Sequence, residues 1–62
     1  MSDRQERILQ ILTSGPASSF YIANQLDAPL ASVRRDIQSL RKLGHRIDDA
    51  RDFAGVYRLV AA

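Results

Sequence analysis

The chain of 62 residues is predicted to form an α+β domain, three helices followed by a two-stranded β-hairpin. Three observations lead there. Apolar residues recur at helical spacing in three segments. Gly- and Pro-containing breaks separate those segments at Ser14-Gly15-Pro16, Asp27-Ala28-Pro29 and Gly44. Beyond Gly44 the helical period stops, and two short runs flank a polar loop ending in Gly55. All 62 residues are read as one domain, small enough that folding buries only about 60% of the unfolded chain's surface.

The first helix begins near Ser2 or Asp3, because Ser2 with Gln5, or Asp3 with Glu6, has capping-box spacing. Ile8, Leu9, Ile11 and Leu12 supply its apolar face, with Arg4, Arg7 and Gln10 largely outside it. Gly15 and Pro16 end it. Ser18 or Ser19 caps a shorter second helix carrying Phe20, Ile22, Ala23 and Leu26. Phe20 and Tyr21 are expected in the core or at its edge. Only about three or four residues separate this helix from the next, so the two meet at a steep angle.

The third helix runs from Pro29 or Leu30 to Leu43 and stops at Gly44. At about 100° per residue, Val33, Ile37 and Leu40 form its buried stripe, with Leu30 and Leu43 on the shoulders. Ala31, Arg35, Gln38 and Lys42 fall opposite the stripe, flanked by Arg34 and Arg41. Asp36, the one acid, lies away from that basic face. After Gly44, residues 45–48 and 56–60 read as strands, with Ile47, Tyr57 and Leu59 sharing the face that covers the helices. A lone hairpin is marginal in water, so it must pack on the helices.

Charge is distributed unevenly. The net value is only +2, yet Arg34, Arg35, Arg41, Lys42 and Arg46 cluster around the third helix with Asp36 as the sole acid, and the rest of the chain is net acidic. A local positive field suits an anionic partner. Arginine and glutamine have the paired donors and acceptors that read base edges in duplex DNA, and a helix N-terminus offers N–H groups to phosphate.

The order of elements is that of a helix-turn-helix followed by a wing. The stretch IANQLDAPLASVRRDIQSLRKLGHRI resembles the motif of winged helix-turn-helix bacterial repressors, especially biotin operon repressors and DeoR-type regulators. The likeness rests on Ala23, Leu26, Val33, Ile37, Leu40, Leu43-Gly44 and the returning GVYRL, and spans roughly residues 5–60. It implies a recognition helix at 30–43 in the major groove, with Ser32, Arg34, Arg35 and Gln38 nearest the bases and phosphates. Arg35 is the foremost base contact, Arg34 a phosphate contact, and Arg41 and Lys42 backbone contacts farther along. The wing would reach an adjacent groove or backbone. Pro29 stands where the family commonly has a Ser or Thr cap. Asp48, Asp49 and Asp52 make the wing acidic, which narrows its phosphate contacts to Arg51 and Arg58.

The expected function is sequence-specific binding of double-stranded DNA in transcription regulation, as a homodimer on a repeated or palindromic site. A protein-interaction module of a larger factor and a small excisionase-like architectural DNA-binding protein are the alternatives. No enzyme is expected, because no catalytic constellation exists. Asp48 and Asp49 are strand neighbours that point to opposite faces and do not converge, and His45, the single histidine, suits a helix C-terminus. Cysteine is absent, and neither metal, cofactor nor small-molecule ligand is expected. MSDRQER lacks the apolar core of a signal peptide, no apolar run approaches the ~20 residues of a bilayer span, and the expected location is the cytoplasm. Phe53, in the wing loop, is expected to fold back onto the domain.

Overall fold

The computed structural model describes residues 2–49 and 55–60. Helices α1 (Asp3–Ser14), α2 (Ser19–Leu26) and α3 (Leu30–Lys42) alternate with three short strands: β1 (Ala17–Ser18) precedes α2, and β2 (Ile47–Asp49) and β3 (Val56–Leu59) follow α3. The α+β architecture with wing strands is the one expected. One element is added, because β1 pairs antiparallel with β3 and makes the sheet three-stranded, in the order β1-β3-β2. Its two residues are too few to carry any alternation of apolar and polar side chains. Pairing of Ala17 with Tyr57 and Ser18 with Val56, extended by Ser19 N–H to the Gly55 carbonyl at 2.9 Å, ties the start of α2 to the returning wing strand.

Local chemistry explains the helix ends. Ser2 and Gln5 form the capping box of α1: the Ser2 hydroxyl accepts from the Gln5 N–H at 3.2 Å, and the Gln5 side chain accepts from the Ser2 N–H at 3.3 Å. Ser18 caps α2 by accepting from the Tyr21 N–H at 3.0 Å. Both α2 and α3 finish in paired terminal bonds that satisfy the last carbonyls. After α2, Asp27 N–H donates to Asn24 and Ala28 N–H to Ala23; after α3, Gly44 N–H donates to Arg41 and His45 N–H to Leu40. This turn needs a left-handed residue, and Gly44 has φ +103°. In the α2–α3 connection Asp27 takes that role at φ +51°.

Among the described residues the core is one cluster of Ile8 and Leu12 from α1, Ala17 from β1, Ile22 from α2, Val33, Ile37 and Leu40 from α3, and Ile47 from β2. Tyr57 and Leu59 pack against its edge, on the sheet face expected for them. The register sets Ile47 opposite Leu59, Asp48 opposite Arg58 and Asp49 opposite Tyr57.

Two expectations are corrected. Phe20 and Tyr21 lie outside the core, 65% and 51% exposed. The inner face of α2 is set by Ser19 and Ile22, which are buried, and by Ala23 and Leu26, which are partly so. Positions 20 and 21 fall between those turns, on the outside. Leu43, placed on a shoulder of the α3 stripe, is 61% exposed. Among the described residues no helix is long and apolar enough to cross a membrane. Arg51, Asp52 and Phe53 lie outside the described residues.

Candidate nucleic-acid interface

α3 presents two chemically distinct faces. Val33, Asp36, Ile37 and Leu40 are buried, while Ala31, Arg34, Arg35, Gln38 and Lys42 are exposed and Ser32 is half-buried. The buried stripe anchors the rod against α1, α2 and β2, so its orientation is fixed from behind and the cationic face points outward. Three residues, Asp27 to Pro29, connect it to α2. Burying the aliphatic side chains of Val33, Ile37 and Leu40 contributes about 1.5–3 kcal/mol each.

The sole acid of α3 is withdrawn from this face. Asp36 is only 5% exposed and is bound by Arg4 of α1, whose Nε donates to one carboxylate oxygen and whose Nη2 donates to the other at 3.2 Å. The bidentate match of guanidinium and carboxylate is what makes burial of the charge tolerable. Asp36 raises the Arg4 pKa above its ordinary value, first through the hydrogen bond and then through its charge, with burial opposing. The exposed face of α3 itself carries no negative group beside Arg34, Arg35 and Lys42.

At the start of α3, Pro29 precedes the helix in an extended conformation and supplies no side-chain cap. Its carbonyl accepts from Ser32 N–H at 3.0 Å and Val33 N–H at 3.2 Å. The positive end of the helix therefore lacks the hydroxyl or carboxylate that usually covers it, beside small Ala31 and Ser32.

Arg41 behaves differently from its neighbours. Its Nε donates to the Ile47 carbonyl at 2.8 Å, its Nη2 donates to Asp49 Oδ1 at 3.3 Å, and its guanidinium carbon lies 5.7 Å from the centre of the Tyr57 ring. Arg41, expected as a backbone contact farther along the helix, has its donors turned toward the wing. The signal was weak in the sequence: Arg41 stands on the shoulder of the face, but its partners sit in strands whose register is set by the fold. Arg58 is exposed on β3 opposite Asp48, and Arg46 is exposed just before β2. Among the described residues no three His, Asp or Glu side chains gather as a metal site.

The face thus brings together Ser32, Arg34, Arg35, Gln38 and Lys42 on one rod, diverts Arg41, and leaves Arg51 outside the described residues. No curated protein and no solved structure gives a significant match to the chain. A family model described as an HTH domain matches residues 4–52, which takes in α1, the α2–α3 pair and the first wing strand. The helix pair, its three-residue connection at Asp27–Pro29 and that match agree, and the chain belongs to the HTH domain family, whose fold is a DNA-binding one.

Proposed function

We propose that the domain binds double-stranded DNA sequence-specifically, with α3 in the major groove, and that it regulates transcription. The observation that carries this reading is the division of α3: Arg34, Arg35, Gln38 and Lys42 are exposed on one side while Asp36 is buried and neutralised by Arg4 on the other. Arg35 and Gln38, opposite the buried stripe, read base edges through paired hydrogen bonds. Arg34, Ser32, Lys42 and the uncapped first turn of α3 hold phosphates on either side, with Arg51 reaching the backbone from the wing loop. The role is binding, without catalysis, in the cytoplasm. One module of this size covers limited surface, so two copies, as a homodimer, occupy a repeated or palindromic site.

The test is selection of bound sequences from a random duplex pool, followed by salt titration of the best binder. Enrichment of one motif and a loss of affinity with salt, with a slope of about −0.9 per phosphate contacted, are expected. Absence of enrichment together with a flat salt dependence overturns the reading. A second reading, a protein-interaction module, is favoured by one specific observation: Phe20 and Tyr21 are exposed side by side at the start of α2. A monomer that binds no duplex at low salt points to that alternative.

A further inference from the structure

We infer that Arg41 is a positioning residue that latches the β2–β3 wing onto the recognition helix, and so sets where the wing meets DNA, instead of contacting DNA itself. The DNA half of this inference rests on the reading proposed above; the latch itself does not.

One guanidinium engages both wing strands. Ile47 and Asp49 belong to β2, Tyr57 belongs to β3, and Tyr57 stands directly opposite Asp49 in the ladder. The three contacts are different in kind. The bond to Ile47 is to main chain and holds β2 whatever its side chains are. β2 is an edge strand, and edge carbonyls that face away from the ladder need a partner of another sort. The bond to Asp49 pairs the guanidinium with an exposed acid of the wing. The Tyr57 ring lies within cation–π range of the guanidinium.

The consequence is geometric and electrostatic. α3 and the wing are joined in sequence only by Leu43–Arg46, and β2 and β3 are three and four residues long. Ile47 anchors the base of the hairpin in the core, but farther out Asp48 and Asp49 are both exposed. Arg41 supplies the side-chain tether from α3 to this outer part. Arginine is required for it: lysine keeps the charge but has neither the two-directional fork nor the flat surface for the ring.

That difference defines the experiment, which uses the full chain with Arg41→Ala, Arg41→Lys and Asp49→Asn. In the DNA-free protein, amide hydrogen exchange is measured at residues 47–49 and 56–59 and, as an internal control, at Val33, Ile37 and Leu40. The latch predicts exchange faster by on the order of tenfold in the wing strands of both Arg41 variants, with α3 unchanged, and a smaller increase for Asp49→Asn. Exchange in the wing that matches the parent chain overturns the inference. If an Arg41 variant fails to fold, wing exchange in Asp49→Asn, whose side chain is exposed, decides it in the same direction. On a selected duplex, loss of affinity in both Arg41 variants with the salt slope unchanged supports a positioning role. A slope reduced by about 1 in Arg41→Ala and restored by Arg41→Lys identifies a direct phosphate contact and overturns it. A parent chain that binds no duplex defeats the DNA-binding reading alone, because the exchange measurement still decides the latch.

Discussion

Arg4, in the first turn of α1, holds Asp36, in the middle of α3, through both carboxylate oxygens across 32 positions of sequence. The contact links the N-terminal helix to the helix that carries the candidate interface. It also removes the one negative charge that would oppose a phosphate backbone there. Arg4→Ala is therefore expected to destabilise the domain more than Arg7→Ala, because a buried carboxylate is left without its partner. Urea unfolding of the two variants side by side checks this; equal midpoints would show that Asp36 does not depend on Arg4. Since the Arg4 pKa is raised, the contribution of its positive charge is in place below arginine's ordinary range and, on the alkaline side, is lost as pH climbs through the raised value. The stability of the parent chain should carry no Arg4-dependent step between neutral and mildly alkaline pH.

Arg35 and Lys42 both point out of α3, yet their removal should be distinguishable. Arg35→Ala is expected to cost about 1–3 kcal/mol on the selected duplex and to relax preference at one base position. Lys42→Ala should weaken all duplexes about equally and lower the salt slope by about 1. Fluorescence anisotropy on the selected site and on a scrambled one measures both. Identical effects of the two substitutions on the two duplexes would remove the distinction between base and phosphate contacts.

The turns at Asp27 and Gly44 have the same hydrogen-bonding pattern but different residues in the left-handed position. Asp27→Gly is expected to stabilise by about 0.5–1 kcal/mol, because relief of the left-handed penalty exceeds glycine's added chain entropy. Gly44→Ala should destabilise by about 1–2 kcal/mol. A side chain there meets no atom within 4 Å, so the cost is conformational and not steric. Thermal unfolding that moves in the same direction for both would refute this account of the two turns.

Ile37 is fully buried at the centre of the stripe that orients the cationic face. Ile37→Ala should cost about 2–5 kcal/mol, a large fraction of the stability of so small a domain. DNA affinity should fall with the folded fraction and recover on cooling toward the stability maximum. Circular dichroism in parallel with binding tests this coupling; loss of binding in a fully folded variant would assign Ile37 a role beyond packing.

Several features of this protein follow from its sequence because they are local. The cap regions at Ser2-Asp3 and Ser18-Ser19, within which the structure selects Ser2 and Ser18, the stop at Gly44 and the stripe of Val33, Ile37 and Leu40 depend on residues within a few positions of one another, where helical geometry leaves little freedom. The exposed face of Arg34, Arg35, Gln38 and Lys42 follows from the same period. Tertiary structure alone decided the rest. β1 exists because the chain at Ala17–Ser18 meets the returning β3, and two residues carry no period of their own. Phe20 and Tyr21 are apolar enough for a core, but α2 buries the neighbouring positions instead. Asp36 and Arg41 are charged residues on the shoulders of one helix, alike in sequence. One turns into the core because Arg4 is across from it, and the other turns to the wing because Ile47, Asp49 and Tyr57 are. A charged side chain goes where its partner is, and the partner's position is set by the packing of the whole chain.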